Sequence, residues 1–176
     1  MAKARKSGRS STRLDTPTDL SGNATPEITT ALNGCLADAF ALYLKTKNFH
    51  WHVSGPHFRD YHLLLDDQAA EIYATTDDLA ERVRRIGGRT IHSIGEIAKL
   101  QTIKDNDKAF VSAKDMLKEL MADTKTVIKA MRAAHEVADK HDDVATASIL
   151  ENFIDTAEKR HWFLFEASRS GDGSGH

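Results

Sequence analysis

Five side chains of metal-binding type stand within one stretch of the chain: His50, His62, Asp66, Asp77 and Glu81. His62 and Asp66 are spaced i, i+4, and so are Asp77 and Glu81. Each pair therefore shares one face of a helix. Asp66 and Asp77 are 11 residues apart, which is about 16 Å along a straight helix. A metal site is only about 4–5 Å across, so the two pairs must be half-sites.

A second copy of the same helix, antiparallel about a two-fold axis, supplies the missing halves. In such a pairing the numbers of facing residues add to a constant. His62 with Glu81 and Asp66 with Asp77 both add to 143, so one register, centred between Glu71 and Ile72, apposes both pairs. A two-fold interface is isologous and yields two identical composite sites. Taken singly, an Asp or Glu on a helix reads as a solvated charge. Five such groups in one register read as a metal site.

Two imidazoles and three carboxylates suit Fe(II), Mn(II) or Zn(II), and the lack of thiolate argues against Cu(I) and iron–sulfur clusters. Carboxylates favour Fe(III) over Fe(II) and can bridge two ions. Two one-electron oxidations can then be coupled to a two-electron oxidant such as hydrogen peroxide. Bundles with an intrachain di-iron site carry Glu-x-x-His on each of two helices. Glu96, Glu119 and Glu136 have no His three residues later, and Glu158 with His161 makes one such motif where two are needed, which places the site at a subunit interface and not in a bundle centre.

These groups must be positioned by helices. Thr25-Pro26 reads as an N-cap followed by proline at the first helical position. A stripe of Ile28, Leu32, Cys35, Ala39, Leu42, Thr46 and Phe49 follows, closed by Ser54-Gly55-Pro56. The spacing predicts a second helix over about 57–86. Its bundle seam is Phe58, Tyr61, Leu65, Ala69, Ile72, Thr76, Leu79, Val83 and Ile86. His62, Asp66, Tyr73, Asp77 and Glu81 form a second stripe beside that seam, and Gly87-Gly88 stops the helix. A long link follows, with a short helix over 94–100. Two more helices are predicted over about 112–139 and 143–168. No strand pattern or internal repeat is present. The expected fold is all-α: a four-helix bundle of ferritin-like topology with a short extra helix in the long B–C connection.

A chain of 176 residues, 40% hydrophobic and 28% charged, suits one domain with a full core. The division expected is a disordered basic N-terminal tail over 1–24, the bundle over 25–169 and a flexible tail over 170–176. No apolar run is long enough to span a bilayer, and the first residues lack the apolar stretch of a secretory signal, so the expected compartment is the cytoplasm. The single cysteine, Cys35, excludes an internal disulfide and reads as a packed core thiol.

The net charge of −2 hides an asymmetry. Lys3, Arg5, Lys6, Arg9 and Arg13 stand in residues 1–14 without an acid, and the rest of the chain carries −7. A basic arm on an acidic body suits a polyanion, with nucleic acid the obvious candidate. A solubilising tail and an Arg/Ser-rich transit peptide are the other readings of such an arm.

The chain resembles the Dps proteins (DNA-binding proteins from starved cells) of the ferritin superfamily over about residues 25–169. The carriers are His50-Trp51, Gly55-Pro56-His57-Phe58, His62-x-x-x-Asp66, Asp77-x-x-x-Glu81-Arg82 and Gly87-Gly88. The resemblance implies a hollow shell of twelve subunits with ferroxidase sites at two-fold interfaces. Carried over by position, His50, His62 and Asp66 come from one subunit and Asp77 and Glu81 from its partner. The implied activity is oxidation of Fe(II) by hydrogen peroxide, two iron ions to a site, with the ferric mineral stored inside. Non-specific DNA binding through Lys3, Arg5, Lys6, Arg9 and Arg13, and association with the nucleoid, are implied as well. Iron access is implied through acidic three-fold pores near the C–D corner, where Asp139, Asp142 and Asp143 lie. Two competing classes remain: a nucleoid-associated DNA-binding protein with an incidental metal site, and a structural oligomer held by interfacial zinc.

Overall fold

The structure, a computed structural model, describes residues 14–169. It contains α1 (Ala24–His52), α2 (Phe58–Arg85), α3 (Ile94–Leu100), α4 (Ala113–Lys140) and α5 (Val144–Ser168). Among the described residues there is no strand. The four long helices make the expected ferritin-like bundle, and the short α3 lies in the long connection between α2 and α4.

Side-chain ties between helix ends fix the topology. Thr25 and Ile86 join the start of α1 to the end of α2, so these two run antiparallel. Lys140 at the end of α4 pairs with Glu27 at the start of α1. Tyr61 near the start of α2 donates to the Ala167 carbonyl near the end of α5. Helices α2 and α4 are therefore parallel, which the long connection makes possible.

The core is the sum of the predicted stripes. Ile28, Leu32, Leu42, Phe49, Leu65, Leu79, Leu120, Met131 and Leu150 are all fully buried. Each such side chain contributes about 1.5–3 kcal/mol relative to exposure. Ser93, Ser112 and Asp143 cap α3, α4 and α5 by accepting from the amides of Glu96, Asp115 and Thr146. Glu96 also accepts from the amide of His92, the residue before the cap.

The start of α1 differs from expectation. The helix begins at Ala24, and Asn23 occupies the cap position without a side-chain hydrogen bond. Thr25 is not the cap because its hydroxyl is spent on the Ile86 carbonyl, 3.0 Å away. Within the segment expected to be disordered, residues 14–23 lie against the end of α2. Leu20 packs on the core, and the Arg84 guanidinium donates to the carbonyls of Leu14 and Gly88. A Cβ on Gly87, whose φ is +80°, would meet the Thr16 carbonyl oxygen at 2.7 Å. One on Gly88 would fall 2.0 Å from the Thr29 hydroxyl, so glycine there lets α1 close on α2. Lys3, Arg5, Lys6, Arg9, Arg13 and the tail 170–176 lie outside the described residues.

The long connection is held by Asp38, a carboxylate only 1% exposed. It accepts from the Thr102 amide at 2.5 Å, the Thr102 hydroxyl at 2.8 Å and the Ile103 amide at 3.2 Å. Asp38→Ala leaves two amides without acceptors and should cost about 2–4 kcal/mol. The check is amide hydrogen exchange. Protection at Thr102 and Ile103 should fall first, and unchanged protection would show that another contact holds the link.

Candidate metal centre

Helices α1 and α2 are joined by a tight turn in which Gly55 takes φ +111°. That turn brings the last turn of α1 against the first turns of α2, and His50 against His62. The two imidazoles stack with centroids 3.8 Å apart and 23° between planes. His50 Nδ1 lies 2.8 Å from the His62 carbonyl oxygen, and His62 Nδ1 lies 2.9 Å from the His50 carbonyl oxygen. A carbonyl can only accept, so in both rings Nδ1 carries the proton and donates it. Each Nε2 keeps its lone pair. This arrangement, a backbone carbonyl fixing the tautomer of a ligating histidine, is the usual outer support of a metal site.

Asp66 stands one helical turn beyond His62. Its Oδ1 is 3.9 Å from His50 Nε2. Two ligands of one ion, each about 2.0–2.2 Å from it, can span that separation. The same oxygen is 2.6 Å from Lys47 Nζ. The Lys47 hydrogen bond, aided by the charge of Lys47 and of both histidines, holds the Asp66 carboxyl below the ordinary aspartate range despite partial desolvation. Lys47 was not singled out in the sequence. Its signal was there, because it stands three residues before His50 and so shares its face of α1.

Asp77 and Glu81 sit further along α2, both exposed. Glu81 pairs with Arg85. Asp77 lines a cavity of about 680 Å³ together with Phe40, Tyr73, Ala80 and His92. One subunit thus brings His50, His62 and Asp66 together and leaves Asp77 and Glu81 about 16 Å away along the same helix. The donor atoms present, two imidazole nitrogens with free lone pairs and three carboxylates, suit iron.

Other residues near the site take quieter roles. Trp51 is exposed and lines a separate cavity of about 880 Å³ with Leu44, Ile94 and Phe110. His52 bonds the Asn48 carbonyl through Nδ1. His57 precedes α2 and lies 5.6 Å from the Tyr61 ring. Burial pushes the Cys35 thiol up to about 12, which removes it as a nucleophile. At the corner between α4 and α5, Asp139 pairs with His135 at 3.4 Å. Asp143 is buried, caps α5 and holds Arg82 at 2.5 Å.

The chain is similar to known proteins. The family model of the ferritin-like domain matches residues 29–168. DNA protection during starvation protein 1 of Deinococcus radiodurans is 32% identical over 129 residues, covering 73% of this chain and 62% of that protein's length. The DNA protection during starvation protein of Brevibacillus brevis is 35% identical, covering 76% of this chain and 89% of its own. The X-ray structure of Dps from Thermosynechococcus elongatus superposes with a TM-score of 0.83 at 31% identity, covering 88% of this chain and 98% of that one.

Asp66 gives a pH test. A carboxyl with a depressed pKa keeps its ion pair above the ordinary aspartate range and loses it only as pH falls through the depressed value. Lys47→Met should therefore move the Asp66 titration up toward the ordinary range. Carboxyl carbon NMR of metal-free protein reads this directly, and an unmoved titration would assign the depression to the histidines instead.

Proposed function

The chain belongs to the Dps family of ferritin-like proteins, and from that premise we propose that it oxidises Fe(II) at composite interfacial sites, stores the ferric product and protects DNA. The observation that carries the reading is the reciprocal His50–His62 pair, which leaves both Nε2 lone pairs free and sets His50 Nε2 3.9 Å from Asp66.

Iron is the substrate. His50, His62 and Asp66 of one subunit hold it from one side, and Asp77 and Glu81 of a second copy approach from the other. Three carboxylates stabilise the ferric product relative to the ferrous substrate, and two ions fit one composite site. Two Fe(II) each give one electron to hydrogen peroxide, which takes up two protons and leaves as two waters. Both reagents are consumed without releasing hydroxyl radical. Twelve copies close a hollow shell, the ferric mineral collects inside, and the protein works in the cytoplasm beside the nucleoid. No helix among the described residues is long and apolar enough to cross a membrane.

Complementation tests the division of ligands. His62→Ala/Asp66→Ala and Asp77→Ala/Glu81→Ala chains should each be inactive alone. Co-assembled in equal amounts, they should recover about one quarter of wild-type ferroxidation, because half of the two-fold pairs are mixed and each mixed pair has one intact site. No recovery in oligomers shown to contain both chains would refute the shared site.

DNA protection rests on the basic arm. Lys3, Arg5, Lys6, Arg9 and Arg13 neutralise phosphates and release counterions, so binding ignores sequence and weakens with salt. One arm gives a log–log salt slope of at most about −4.5, and a shell with many arms can exceed it through avidity. Deleting residues 2–13 should abolish the gel shift on duplex DNA and leave ferroxidation intact. Undiminished retardation by the deleted protein would move the DNA site to the body.

A further inference from the structure

Helix α2 presents more than ligands on its outer stripe. At 3.6 residues per turn, His62, Leu63, Asp66, Ala70, Tyr73, Asp77, Ala80 and Glu81 all fall within an arc of about 100°. Leu63 and Tyr73 are 44% and 54% exposed. Phe58, the third large apolar residue exposed on α2, is turned off this arc against the His62 ring. Tyr73 is a braced knob, with its ring 5.0 Å from that of Tyr43 and 6.4 Å from that of Phe40. Among the described residues its hydroxyl has no hydrogen-bond partner. Ala70 is exposed beside it, and Ala80 lines the cavity of about 680 Å³ that Leu36, Phe40 and Ile91 also wall.

The two-fold register was set by the metal-type residues alone, yet it also matches the apolar ones. Facing numbers that add to 143 put Tyr73 opposite the partner's Ala70, and Leu63 opposite the partner's Ala80. Each exposed large side chain of the stripe meets a small one. We propose that the outer stripe of α2 docks a second copy of this chain through a steric lock, Tyr73 on the partner's Ala70 and Leu63 in the hollow at the partner's Ala80, and that this lock sets the register in which the metal half-sites meet. The inference rests on the composite-site reading and adds what aligns it.

Helices in contact lie about 8–10 Å apart according to the side chains between them. A tyrosine on an alanine, repeated on both sides of the axis, sets that spacing one turn from Asp77 on each helix. The carboxylates are then held apart for an ion to enter, and the pairing does not require the ion. The charges agree with that. Asp66 faces the partner's Asp77, a like pair, but Lys47 already neutralises Asp66 and Arg85 neutralises Glu81. The lock therefore forms in metal-free protein.

The test is a size swap, with oligomers weighed by sedimentation in chelator and helix content followed by circular dichroism. Ala70→Tyr sets tyrosine against tyrosine twice per interface and should weaken the two-fold association about 30-fold or more. Ala70→Tyr/Tyr73→Ala restores large against small and should recover the wild-type mass. Both positions are exposed in the subunit, so helix content should stay unchanged. Assembly of the single variant at wild-type strength, or failure of the double variant to recover, overturns the lock. As a second measurement, chains carrying Ala70→Cys and Tyr73→Cys are mixed and oxidised. A crosslinked mixed pair is expected, and its absence from assembled oligomers overturns the register. If the crosslink forms while complementation of ferroxidation fails, the lock stands and the shared-site reading falls. If Ala70→Tyr assembles fully and oxidises iron normally, the lock falls and the shared-site reading stands.

Discussion

The two hydrogen bonds between the His50 and His62 imidazoles and each other's backbone carbonyls organise the site. Their donors are ring nitrogens and their acceptors are carbonyls at the facing ends of two helices. One of these, the His50 carbonyl, lies in the last turn of α1, where no intrahelical amide is left to satisfy it. The His62 ring thus caps one helix while its own tautomer is fixed. The same pair ties α1 to α2, orients both rings and leaves both Nε2 atoms free. A change in the angle between the two helices would move ligands and break caps together, so the fold and the ligand set are coupled at this hairpin.

Around that pair, charge is arranged to be exchanged. Lys47 holds Asp66 and Arg85 holds Glu81, while among the described residues Asp77 has no ion pair. All of these groups are exposed or half-exposed, where an ion pair contributes only about 0–1 kcal/mol. An incoming divalent ion therefore displaces weak contacts, not buried ones. The buried charges of the protein are placed elsewhere. Lys45 lies between α1 and α4 at 2.6 Å from Asp123 and 3.0 Å from Glu119. Burial pushes the Asp123 carboxyl up against the pull of that lysine.

Much of this was legible in the sequence because it is periodic. The helix spans follow from three- and four-residue spacing, and the short helix expected over 94–100 is α3. The separation of His62 and Asp66 from Asp77 and Glu81 follows from the rise per residue of one helix, Phe58–Arg85. What escaped are contacts between segments far apart in sequence. Thr25 has the residue type of a cap, yet its partner is Ile86, 61 positions away. Asp38 reads as one more polar residue on α1 until the connection 64 positions later folds over it. Residues 14–23 have the composition of a free tail, and only Arg84 and the bare backbone of Gly87 give them a surface to lie on.

The Lys45 cluster also bears on why we propose the interface, and not the bundle centre, for the metal chemistry. In a bundle with an intrachain di-iron centre, carboxylates from facing helices converge at the middle. Here a pair of carboxylates on α4 does converge, but the ammonium of Lys45 stands between them, and Arg160 from α5 is buried against Glu71 of α2. The polar capacity of the interior is already filled by protein cations, so a divalent ion gains nothing there. The imidazole nitrogens with free lone pairs are on the hairpin and the unpaired carboxylate is on the outer stripe of α2, so on the proposed reading a full ligand set arises only when two chains meet. On that reading assembly is a condition of the chemistry, because neither half alone supplies enough negative charge to favour the ferric product.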